Sequence, residues 1–86
     1  MDKRIIELRQ QIDDIDEEIM QLLQKRMGFS KEVGKLKEKL HIPIEDQLRE
    51  KEVIDRLTQH AGTNLSEEQL IRIFTAVFKT SKQVQK

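Results

Sequence analysis

Seven side chains in this sequence could do chemistry together: Arg26, Lys37 and Arg49 as cations, Asp46 and Glu50 as acceptors, and Ser81 and Gln85 as neutral polar groups. A guanidinium grips a carboxylate with two parallel N–H donors, and a lysine adds a compact point charge. Such a set suits the recognition of a small polycarboxylate. Arg26 and Lys37 are eleven residues apart, three helical turns plus about 20°, so they share a face with Cα atoms ~16 Å apart. Two long side chains can close that distance around a small ligand. No activated nucleophile accompanies them. Ser81 has no His nearby in sequence, neither His41 nor His60 falls on the apolar pattern, and Cys is absent. Gly28, Gly34 and Gly62 are isolated and form no phosphate loop. Two His without Cys make no convincing zinc ligand set. The expectation is a site without metal or cofactor, which either binds an anion or catalyses by shape and electrostatics.

These residues stand out because they interrupt apolar stripes. Ile5, Leu8, Ile12, Ile15, Ile19, Leu22, Arg26, Phe29, Val33, Leu36 and Leu40 form a seven-residue repeat, the seam of a long helix from about Ile5 to Leu40. Arg26 is its one charged member, and a buried guanidinium needs a partner or a route to water. Asp2 can cap this helix, and Pro43 stops it around Leu40-His41-Ile42. The acidic run Asp13, Asp14, Asp16, Glu17 and Glu18 lies mostly off the seam and reads as a solvated face.

A second helix is expected from about Asp46 to His60, with Val53, Ile54 and Leu57 as its apolar face and Leu48 an optional member. Stepping that face backward reaches Glu50 and Asp46, with Arg49 beside them. The helix dipole alone explains an acid at Asp46 well and Glu50 less well. Gly62 suits a break, and Ser66-Glu67-Glu68-Gln69 matches a capping box that starts a third helix. Its buried face is expected to hold Leu70, Ile73, Phe74, Val77, Ser81 and either Val84 or Gln85, with Phe78 at the border. One polar lapse in an apolar stripe is noise. Lapses on all three helices indicate a polar pocket between them.

The chain has 86 residues, enough for one domain, 1–86, and on the small side for an unaided core. The first helix would be roughly 54 Å long, whereas a compact monomer of this length has a radius of gyration near ~12 Å. An intertwined two-fold dimer with the long helices side by side follows. Sixteen basic residues balance sixteen acidic ones, so no net field recruits nucleic acid or an anionic membrane. Three Phe, without Trp or Tyr, leave little to stack on bases. No signal peptide or bilayer-spanning run is present, and a soluble, cytoplasmic protein is expected.

Taken in order, Leu8-Arg9-x-x-Ile12-Asp13-x-x-Asp16, Leu22-Leu23-x-x-Arg26, Val33-Gly34-Lys35-x-Lys37, Pro43, Asp46, Arg49-Glu50, Ile73-Phe74 and Ser81-x-x-x-Gln85 resemble the all-α chorismate mutases over almost the whole chain. The resemblance implies three helices per chain, one long and two shorter, in an intertwined helical homodimer with two active sites. It implies the cofactor-free Claisen rearrangement of chorismate to prephenate. By resemblance, Arg26 and the Arg9 of a second chain bind the two substrate carboxylates. Lys37 contacts a carboxylate and the ether oxygen, and Gln85 donates to that oxygen. Glu50 and Asp46 hold the ring hydroxyl, with Arg49 and Ser81 completing the pocket. Relatives of this kind also occur as N-terminal domains of DAHP synthase, where prephenate or chorismate binding inhibits the attached synthase. A regulatory module with weak or no catalysis is therefore the second reading, and a plain coiled-coil dimerisation module the third.

Overall fold

The computed structural model describes residues 1–86 and contains three α-helices and no strand: α1, Lys3–Leu40; α2, Gln47–His60; and α3, Glu67–Gln85. Each starts where a side chain supplies the acceptor that the first turn lacks. Asp2 accepts from the Arg4 N–H at 2.7 Å, so α1 begins two residues before Ile5. Asp46 accepts from the Arg49 N–H at 3.0 Å, which makes it the cap of α2 and not its first residue. Ser66 and Gln69 form the expected reciprocal box, at 3.1 and 2.9 Å. At its far end α1 closes on His41, whose backbone is left-handed (φ 58°). The N–H groups of His41 and Ile42 return to the carbonyls of Glu38 and Lys37 at 3.2 and 2.8 Å.

α3 runs parallel to the C-terminal half of α1, with Ser81 opposite Ser30 and Gln85 opposite Gly34. α2 packs on α3, while the backbones of α1 and α2 stay apart. The interior is small: Val53, Leu70 and Phe78 are buried, together with Ser30, Gly34 and Ser81. One expectation is corrected here. Phe78 lies inside the core, not at its border, and Ile73 is half exposed. The reason is rotational. Phe78 and Gln85 lie on the same side of Ser81, within about 20° of each other, whereas Ile73 lies about 80° round the opposite way. Setting Gln85 against α1 therefore turns Phe78 in and Ile73 out.

The seam of α1 finds no cover in this chain. Leu8, Ile12, Ile15, Leu22, Leu36 and Leu40 are all more than half exposed. The molecule measures 56 × 23 × 16 Å, with a radius of gyration of 16.4 Å, well above the ~12 Å of a compact chain this long. No helix is long and apolar enough to cross a membrane.

Candidate active site

Because α3 touches both other helices while α1 and α2 remain apart, a cleft opens between them. Its volume is about 290 Å³. α1 contributes Arg26, Phe29, Ser30, Val33 and Lys37 along one face. Asp46, Arg49, Glu50 and Val53 come from the start of α2, Ile44 from the loop before it, and Phe78, Ser81, Lys82 and Gln85 from α3. Arg26, Lys37, Asp46, Arg49, Glu50, Ser81 and Gln85, far apart in the chain, thus share one site.

Arg26 solves its seam problem without a carboxylate. Its guanidinium carbon lies 5.9 Å from the centre of the Phe78 ring, a cation–π distance. Partial burial, and then the charge of Arg49, lower its pKa, yet a guanidinium stays protonated at any physiological pH. Two cations held in mutual repulsion within a cleft form a site ready for an anion. Lys37 donates to the Ile44 carbonyl at 3.1 Å, which anchors its ammonium at the cleft wall with further donors to spare. Ser81 lines the cleft and shares a buried hydrogen bond with Ser30. The Gln85 side-chain oxygen is buried without a donor.

Arg9 is not among the cleft residues. It precedes Arg26 by seventeen positions, roughly 25 Å along a continuous helix. A second groove between α1 and α3, lined by Met20, Leu23, Gln24, Met27, Ala76, Val77 and Thr80, contains no charged side chain.

Three features of the packing around the cleft escape a reading of the sequence. Lys82 lies 3.3 Å from Glu50 and 3.2 Å from Glu45, joining the last turn of α3 to the start of α2. Its spacing of three before Gln85 puts it on the same side of α3, a signal that was available. Ser30 and Gly34 are small residues one turn apart that let α3 approach. Nothing in an apolar-seam pattern distinguishes them from solvent-facing positions.

The chemistry follows from the charges. Arg49 pairs with Glu52 at 3.8 Å and Lys82 with Glu45 and Glu50, whereas Arg26 and Lys37 have no carboxylate partner, which leaves two cleft cations unmatched. A small dianion with hydroxyl groups complements that balance.

A family model described as chorismate mutase type II matches residues 8–86. The chain is 34% identical to the chorismate mutase of Methanocaldococcus jannaschii, covering 100% of this chain and 88% of that one. It is 32% identical to the bifunctional chorismate mutase/prephenate dehydratase of Aquifex aeolicus over 93% of its own length, while spanning 23% of that longer protein. Among solved structures, a chorismate mutase from Thermus thermophilus superposes with a TM-score of 0.93 at 31% identity, covering 96% of this chain and 94% of that one. A chorismate mutase from Helicobacter pylori in complex with prephenate superposes with a TM-score of 0.90 at 34% identity, covering 98% and 91%.

Proposed function

The chain belongs to the chorismate mutase type II family, and on that premise we propose that residues 1–86 form a mutase domain converting chorismate to prephenate. The observation that carries this reading is the pair of cleft cations, Arg26 and Lys37, that no carboxylate of the chain engages, matched to a substrate with two carboxylates. The reaction is an intramolecular rearrangement: an ether C–O bond breaks as a C–C bond forms, and no atom enters or leaves. Such a step asks for a held conformation and for donors where charge develops. Arg26, with Arg49 nearby, grips a carboxylate and folds the enolpyruvyl arm over the ring. Lys37 and Gln85 donate to the ether oxygen as negative charge grows there. Glu50 accepts from the ring hydroxyl. Asp46 caps α2 and thereby presents Arg49 and Glu50 to the cleft.

The working unit in this reading is a homodimer. The uncovered seam of α1 is an extended apolar face, far longer than the patches a monomer usually leaves exposed. Antiparallel pairing of two α1 helices covers it and carries Arg9 of the partner subunit toward the cleft, where it takes the second carboxylate. A monomer in sedimentation equilibrium at micromolar concentration would overturn the pairing.

The direct test is the loss of chorismate's ultraviolet absorbance with the purified 86-residue chain. Rapid loss is the expected result. The regulatory reading expects prephenate to raise the melting temperature with no turnover. The fused relative named above carries a prephenate dehydratase, whereas the resemblance implied a DAHP synthase partner.

The identity of residue 85 sets a pH expectation. A carboxamide donates at every pH, whereas a carboxyl group donates only when protonated. Wild-type turnover should be flat across neutral pH, and Gln85→Glu should become more active as pH falls toward the carboxyl pKa. A pH–rate profile with no such acid shift in Gln85→Glu would remove the donor role.

A further inference from the structure

Lys82 lies in the cleft with no role in the scheme above. Its ammonium sits 3.2 Å from Glu45 and 3.3 Å from Oε2 of Glu50. The side chains of Lys82 and Glu50 are only 30% and 28% exposed, whereas Glu45 is 55% exposed. Glu45 precedes the Asp46 cap, and Glu50 lies in the first turn of α2. One cation thus spans from the loop outside the cleft to the acceptor inside it, and it comes from the turn of α3 that also carries Ser81 and Gln85.

From this geometry we infer that Lys82 is a positioning residue, which holds one oxygen of Glu50 and so presents the other to a substrate hydroxyl. The inference rests on the mutase reading. A free glutamate side chain has three rotatable bonds, and its carboxylate can also swing to Lys37 or Arg49, both of which line the same cleft. Engaging Oε2 removes those choices and leaves Oε1 as the acceptor. The second partner of Lys82 is the more exposed Glu45, at 3.2 Å. Its hydrogen bond is also the leading reason that the Lys82 pKa is raised. Partly exposed ion pairs add little to stability, so Lys82 matters for where Glu50 points rather than for holding the fold. Misplacement of a binding group by about 1 Å costs on the order of 10²-fold in rate, and losing one of the restraints on Glu50 should cost about tenfold.

The test is a double-mutant cycle on kcat/KM for chorismate, with melting temperatures measured alongside. Lys82→Gln should lower kcat/KM about tenfold in the wild-type background while the melting temperature stays nearly unchanged. In a Glu50→Gln background the same change should have almost no further effect, because the group it positions is gone. Lys82→Arg should recover most of the loss. Glu45→Gln, outside the cleft, should stay within about twofold of wild type. Independent, multiplying effects of Lys82→Gln and Glu50→Gln would overturn the inference. So would a Glu45→Gln loss equal to that of Lys82→Gln, which would mark a tether between helices. A wild type without mutase activity would instead overturn the functional reading itself, and an active wild type indifferent to Lys82→Gln would overturn this inference alone.

Discussion

Lys37→Ala is expected to lower turnover by about 10²–10³, the usual scale for losing a donor aimed at developing charge. Three observations make this a catalytic effect and not a folding one. Lys37 is half-buried on the cleft face of α1. It forms one hydrogen bond within the protein, to the Ile44 carbonyl at 3.1 Å. No carboxylate pairs with it in a salt bridge, so its removal strands no buried acid. Ala is also a better helix former than Lys at this interior position. Stability should therefore change little, and the melting temperature should confirm it. The loss should appear mainly in kcat, because charge on the ether oxygen exists only as the bond breaks. Lys37→Arg should restore only part of the activity, since a planar fork cannot place a point charge where the ammonium stood. Near-normal turnover in Lys37→Ala, measured by chorismate absorbance, would refute the role.

The second large effect is expected from the smallest change. A Cβ added at Gly34 would lie 2.7 Å from the Cα and 2.7 Å from the carbonyl oxygen of Gln85. Both are backbone atoms, so no side-chain rotation relieves the clash, and the last turn of α3 must move. Overpacking of this kind costs about 1–3 kcal/mol, against which Ala recovers about 1 kcal/mol of helix propensity. The net stability change is thus modest. The catalytic change is not, because the displaced turn carries Gln85 and, one turn earlier, Ser81 and Lys82. Gly34→Ala should lower turnover by about 10²-fold, the scale for a misplaced group. Gly28 supplies the control. A Cβ there meets nothing within 4 Å, so Gly28→Ala should raise the melting temperature and leave turnover alone. Equal behaviour of the two variants would mean that the close approach of α3 to Gly34 does not position the site.

Most of this architecture is legible in the amino-acid sequence for a simple reason: helices report their own phase. The seven-residue repeat from Ile5 to Leu40 specifies α1 and its seam, Pro43 ends it, and the Ser66–Gln69 box starts α3. Arg26, Glu50, Ser81 and Gln85 are conspicuous because each breaks an apolar stripe, and all four line the cleft.

What the sequence left open depends on how one helix rotates against another. Nothing local decides whether Val84 or Gln85 faces inward, and with that choice went the misplacing of Ile73 and Phe78. Packing settles it, because only the small pair Ser30 and Gly34 lets the α3 backbone come close, and it does so opposite Ser81 and Gln85. The Lys82 link to Glu45 and Glu50 joins residues up to thirty-seven positions apart. Its members are charged residues with exposed-looking spacing, which no periodicity can pair. Elements and their polar interruptions were written into the chain as period and capping chemistry. The cleft, and the orientation of the groups within it, arise only when three helices settle at distances set by their smallest side chains.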